Sequence, residues 1–272
     1  MGTGLMARGL RIAEQPPELW NITQAEVVRE LHAHFVDAGA DAIQTNSFGA
    51  SRLRLRARGL EDSTREINLA AGAVAREASP DGCVIGAIGP TGEIPPPEGA
   101  ADLYELEDAF AEQAALLAEA GVDLLHVETM CHSKELRAAI RGARQGAPDL
   151  PLAASMSCKR LGDAFTTSLG YPADAMIAVM LEEGVDALGA NCTLTPGDLL
   201  DLAERLVATG LPVLAQPTIA PDSGSPLYPG EFATGAEALF AVGVRAVGGC
   251  CGTGPADIAS ARGTSAQATG SR

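Results

Sequence analysis

From about residue 24 the chain alternates between two textures. Segments with apolar residues at helical spacing give way to short, almost unbroken apolar runs. The first texture reads as amphipathic helix and the second as strand buried on both faces. Seven runs predict strands, over residues 42–48, 83–88, 123–129, 152–157, 187–192, 213–216 and 246–249. Between them the spacing predicts helices over 63–77, 106–120, 133–145, 172–183, 196–209, 234–242 and 255–262. An earlier helix runs to Ala38, with Thr23 as N-cap and Glu26 completing a capping box. The proline run at 94–99 fits no regular element and is expected to be a loop.

Short steps such as Ala-Gly-Ala-Asp at 38–41 and Ala-Gly-Val-Asp at 120–123 mark the passage from helix to strand, and recur at 183–186 and 242–245. Strand–helix alternation of this kind implies right-handed β–α–β units. The fold class expected is α/β, a (β/α)8 TIM-type barrel. Seven strands are one short of eight, so most of the first strand is missing, and the closing helix is short. A doubly wound open sheet is the alternative. No Gly-x-Gly-x-x-Gly follows an early strand, and no Gly-Lys-Ser/Thr occurs to support it. Residues 1–262 form one barrel domain in this reading, and the Gly-, Ser- and Thr-rich 263–272 a disordered tail.

Charge narrows the partners. Thirty-five acidic against 19 basic residues give a formal charge of −16, which argues against nucleic acid and anionic membranes. Arg52, Arg54, Arg56 and Arg58 would scatter around a helix and read as solvated surface. No charged-then-apolar leader or membrane-length apolar run is present. Six cysteines in 272 residues are no disulfide framework. A reducing cytoplasm, with thiolates free for metal, is the expected location.

Polar residues at the predicted strand ends would meet at the barrel mouth, where such folds keep their active sites. They include Thr45, Asn46, Ser47, Thr91, Glu128, Thr129, Asn191, Gln216 and Thr218. With them lie Cys192 and the pair Cys250–Cys251, bracketed by Gly248, Gly249 and Gly252. Three thiolates on one ion with an open fourth position would be a catalytic zinc arrangement. The competing reading is packing, because free cysteine is among the most buried residue types. Cys131 and Cys158 also lie near strand ends, and either could close the site as a fourth, structural ligand. His126 has no second histidine placed to join it, and is expected to be buried and hydrogen-bonded.

The motifs resemble the homocysteine S-methyltransferase family, most closely the homocysteine-binding barrel of cobalamin-dependent methionine synthases. The matching pieces run the length of the chain. They are Met1-Gly2-Thr3, Asn21-Ile22, Thr45-Asn46-Ser47-Phe48-Gly49-Ala50, Gly59-Leu60-Glu61-Asp62 and Gly89-Pro90-Thr91-Gly92-Glu93. Further along come Glu128-Thr129, Gly189-Ala190-Asn191-Cys192 and Gly248-Gly249-Cys250-Cys251-Gly252-Thr253. The resemblance implies zinc on Cys192, Cys250 and Cys251, with the homocysteine sulfur as fourth ligand. It implies that Glu128 holds the substrate ammonium, that backbone amides near Gly2 and Thr3 lie by its carboxylate, and that Asn46 joins the substrate-binding set. Against the family pattern, an Asp-Gly pair and first strand ahead of Met1 have no counterpart. The family's Pro-Asn-Ala-Gly appears as Pro217-Thr218-Ile219-Ala220.

The activity this implies is zinc-dependent methyl transfer to homocysteine, giving methionine. The donor read first is a methylcorrinoid (cobalamin) carried on a separate protein. S-methylmethionine and a betaine are alternative donors. A different class of reading is a catalytically impaired remnant that binds zinc or thiols, or serves as a partner subunit. The two unpaired sheet edges also leave a homo-oligomer across the gap as an expectation.

Overall fold

The computed structural model describes residues 1–219, 227 and 229–269. In chain order the strands are β1 (Ala42–Gln44), β2 (Cys83–Ile88), β3 (Leu124–Met130), β4 (Leu152–Met156), β5 (Lys159–Leu161), β6 (Ala164–Thr166), β7 (Ala187–Cys192), β8 (Val213–Pro217) and β9 (Ala246–Val247). Seven of them form a parallel sheet in the order β1-β2-β3-β4-β7-β8-β9, curled as in a TIM barrel. Every residue of β4 is buried, as a strand covered on both faces requires. Helices connect the strands, and their apolar faces complete the core.

The curl stops short of closure. Among the described residues β1 pairs only with β2, and β9 only with β8. Between these edges lies a cavity of about 510 Å³, lined by Phe35, Ile43, Gln44, Phe240, Val247 and Ile258 among others. The last helix, Pro255–Thr269, spans the gap from the β9 side, and Arg262 makes an ion pair with Asp41 just before β1. The open seam therefore lies where the sequence pattern lacks a strand.

Several expectations change in detail. β1 ends at Gln44 because side chains take over its ladder. The Thr45 hydroxyl accepts from the Ala87 amide at 3.0 Å, and that of Ser47 donates to the Ala87 carbonyl at 2.7 Å. Helix Ala25–Asp37 has Gln24, not Thr23, at its N-cap. Thr23 closes the preceding short helix by donating to the Leu19 carbonyl, while Glu26 pairs with Arg29, so no capping box forms. The hairpin β5–β6 is an addition after β4. The last helix continues beyond Arg262 to Thr269, through residues the composition assigned to a tail; residues 270–272 lie outside the described residues.

Candidate metal centre and substrate site

Cys192 ends β7. On a straight strand neighbouring side chains face opposite ways, so a buried Asn191 directed across the mouth would leave Cys192 facing the helices. Cys192 instead has φ +79°, a left-handed conformation that turns its sulfur back to the mouth. The Cys250–Cys251 turn follows β9 and is gripped by the end of β8. The Cys250 amide donates to the Pro217 carbonyl at 2.9 Å. The Cys251 carbonyl accepts from the Thr218 hydroxyl at 3.0 Å and the Ile219 amide at 3.2 Å. A Cβ on Gly249 would lie 2.2 Å from Cγ2 of Thr253, so only glycine fits this turn.

These turns bring three sulfurs together. Cys192 Sγ lies 3.7 Å from Cys251 Sγ, which lies 4.0 Å from Cys250 Sγ, and all three fall within 4.8 Å of one another. An ion at about 2.3 Å from each sulfur in a tetrahedron sets the sulfurs about 3.8 Å apart. The spacing fits zinc. Hydrogen bonds from Cys192 and then Cys250 pull the Cys251 thiol down, while contacts with Cys192 and then Cys251 push the Cys250 thiol up. Unaided, the cluster supports one negative charge readily and resists more, because like charges at this distance oppose each other. A divalent cation removes that conflict.

Glu128 lies on β3, two residues beyond His126. Burial pushes its carboxyl up to about 7, against the pull of the Met1 ammonium and a hydrogen bond from Gln44; the Cys251 charge pushes it further up. A carboxylate so poised gains from a cation brought next to it. Gln44 is a residue the sequence reading passed over. Its amide nitrogen lies 3.0 Å from Nδ1 of His126, and its oxygen accepts from Gln216 across the barrel. His126 is fully buried, as expected. Burial pushes it down to about 3, so the neutral ring accepts from Gln44 and donates to the Ser155 hydroxyl at 2.7 Å. The signal for Gln44 was a lone amide at the end of an apolar strand.

The other expected residues have contacts of their own. Cys131 directs its thiol to the carbonyls of Thr129 and Ser157. Cys158 is buried, which pushes its thiol up to about 12. Neither joins the three-sulfur group. Asn46 turns its amide to the Pro17 carbonyl at 2.8 Å and to Asn21 at 3.0 Å, holding the segment before helix Ala25–Asp37 onto β1. Gly2 and Thr3 open the short helix Gly2–Met6, preceded by Met1, which lines the seam cavity with Cys250. Thr218, where the family pattern has an amide, is buried and used on the Cys251 carbonyl. Ala220 lies outside the described residues.

The sequence model of the homocysteine S-methyltransferase family matches residues 1–264. The chain belongs to that family. It is 31% identical over 286 aligned residues to a methionine synthase of Mycobacterium tuberculosis (strain ATCC 25618 / H37Rv), covering 95% of this chain and 23% of that protein. A methionine synthase of Mycobacterium leprae (strain TN) is 30% identical over 264, covering 89% and 21%. The chain thus spans about a fifth of the length of these relatives. Among solved structures, the metallated form of the homocysteine methyltransferase MmuM from Escherichia coli superposes with a TM-score of 0.77 at 26% identity, covering 97% of this chain and 93% of that one. A methyltransferase from Methanosarcina mazei shares the fold, with a TM-score of 0.60 at 11% identity over 94% and 89%. Among the described residues no helix is long and apolar enough to cross a membrane.

Proposed function

We propose that this chain transfers a methyl group to the sulfur of homocysteine, giving methionine, with zinc held by Cys192, Cys250 and Cys251. The observation that carries this reading is the group of three sulfurs at the spacing a tetrahedral ion requires. When bound, zinc supplies the positive charge that strips the proton from an incoming thiol at neutral pH and leaves it a nucleophilic thiolate. Glu128 receives the substrate ammonium through a charge-assisted hydrogen bond, with Gln44 fixing the carboxylate. The backbone amides of Gly2 and Thr3, which follow Met1 on the cavity lining, would take the substrate carboxylate. Asn46 acts at one remove, by holding the chain around β1.

The thiolate attacks the donor methyl carbon, a carbon–sulfur bond forms, and the bond from that carbon to the donor breaks. We place the donor as a protein-carried methylcorrinoid, because the Gly89-Pro90-Thr91-Gly92-Glu93 loop resembles the methionine-synthase branch of the family. Such a mouth can receive a large donor face-on, and docking would pre-position it. The acidic surface and the absence of a membrane-length helix among the described residues fit a cytoplasmic protein. The open seam favours a second reading, a zinc- or thiol-binding partner subunit without turnover. The test is methionine formation from methylcobalamin, a methylated corrinoid protein, S-methylmethionine and glycine betaine at equal concentration. Fastest transfer from the corrinoid protein, lost on zinc removal, is expected. Preference for S-methylmethionine overturns the donor, and zinc binding without turnover from any donor favours the partner subunit.

A further inference from the structure

Among the described residues only two that are not glycine have positive φ: Thr129 at +63° and Cys192 at +79°. Thr129 directly follows Glu128, and Cys192 is a candidate metal ligand. A β-branched residue such as threonine does not hold this conformation without restraint. Asn191 provides it. Its Oδ1 accepts from the Thr129 amide at 2.9 Å, and its Nδ2 donates to the Thr129 hydroxyl at 2.7 Å. Both partners lie across the width of β4, and the register between β3 and β4 shifts between Val127 and Met130, where Glu128 and Thr129 sit.

We infer that Asn191 is a positioning residue that sets the Glu128 carboxylate and the Cys192 sulfur in a fixed relation to each other. This rests on the proposed roles of those two groups. The amide of Asn191 holds the bulge after Glu128 from outside β3. The same contact fixes the residue before Cys192, so the turn that brings its sulfur to the mouth starts from an anchored strand end. Released from Asn191, Thr129 returns to an extended conformation, the bulge relaxes, and Glu128 moves away from the ammonium position. Glycine at position 129 adopts positive φ unaided, so it should make Glu128, though not Cys192, independent of Asn191.

The experiment compares the native chain with N191A, T129G and N191A/T129G. Cobalt(II) titration, read from thiolate-to-cobalt absorption, reports the sulfurs; calorimetry of homocysteine binding to zinc-loaded protein reports Glu128. N191A is expected to weaken both by about tenfold or more, as loss of an orienting partner does. N191A/T129G is expected to recover most of the homocysteine affinity and none of the cobalt affinity, a rescue that general destabilisation would not give. Unchanged homocysteine affinity in N191A, or no recovery in the double variant, overturns the inference. Should N191A fail to fold, T129V removes the hydroxyl from the pair at similar volume; weaker homocysteine binding supports the inference and unchanged binding overturns it. If the native chain binds neither cobalt nor homocysteine, the functional reading falls, and a crystal structure of N191A decides the rest. Thr129 at negative φ upholds the positioning role, and Thr129 still at positive φ overturns it.

Discussion

Gln44 and His126 meet at 3.0 Å inside the barrel, amide nitrogen to Nδ1, and from that contact a buried polar layer extends in three directions. Gln44 reaches Gln216 on β8 and Glu128 on β3, and His126 reaches Ser155 on β4. With His126 held neutral by burial, its Nδ1 accepts and its Nε2 donates. Gln44 must present its nitrogen to the ring and to Glu128 at once. The layer thus holds the Glu128 carboxyl through Gln44.

Glu128→Gln should keep zinc and lose homocysteine. A hydrogen bond to a charged group contributes about 1.5–3 kcal/mol, which is about ten- to a hundredfold in affinity. Thiols without an amino group should bind both proteins alike. Calorimetry on zinc-loaded protein checks this, and equal homocysteine affinity in the two proteins would remove Glu128 from the site.

The same substitution should change stability in a pH-dependent way. Glu128 holds its proton to about 7 in the folded chain against the usual 4.5, so between those values the folded state binds more protons than the unfolded one. Stability from this group is therefore present below that window and is lost as pH rises through about 7. At about 1.4 kcal/mol for each tenfold change in acidity, ionising Glu128 costs the folded chain up to about 3 kcal/mol at pH 8. In metal-free protein Glu128→Gln should be close to neutral at pH 5 and stabilising at pH 8. Urea unfolding at the two pH values measures it, and a variant stabilised more at pH 5 would contradict the assignment.

The seam between β1 and β9 offers a slot for one more parallel strand, with Met1 beside Cys250 on its lining. A strand of about five apolar residues fused ahead of Met1 should enter it, since strands of that length are the commonest. Pairing both edges and burying two or more side chains should raise Tm by at least about 5 °C. Any dimer formed across the open edges should dissociate at the same time. An unchanged Tm would mean that the seam is already satisfied by the residues that line it.

All seven sheet strands were legible in the sequence: four follow Gly-x-Asp or Gly-x-Arg turns, and the central ones are short apolar runs buried almost throughout. The hairpin β5–β6 was not. Lys159, Arg160 and Leu161 are exposed and carry no alternation, so their pairing follows from proximity in the fold. Thr23 and Glu26 matched a capping box by spacing, but the helix before them claimed Thr23. The three cysteines were legible as strand-end residues. The left-handed turns at Thr129 and Cys192 were not, since neither position is glycine and the restraint on Thr129 comes from Asn191, on a strand two places away in the sheet. Asn46 illustrates the converse: its motif was visible, while its partners Pro17 and Asn21 could be known only from the fold.

Cys192, Cys250 and Cys251 should together bind one zinc ion and leave a place for the substrate sulfur. X-ray absorption of zinc-loaded protein, before and after homocysteine, tests it most directly, alongside zinc content of single Ala variants at positions 83, 192, 250 and 251. About one zinc per chain is expected, with three sulfur neighbours at about 2.3 Å, rising to four with homocysteine. Zinc should be kept in Cys83→Ala and lost in Cys192→Ala, Cys250→Ala and Cys251→Ala. A zinc shell unchanged by homocysteine, or full zinc retention in Cys192→Ala and Cys251→Ala, would contradict it.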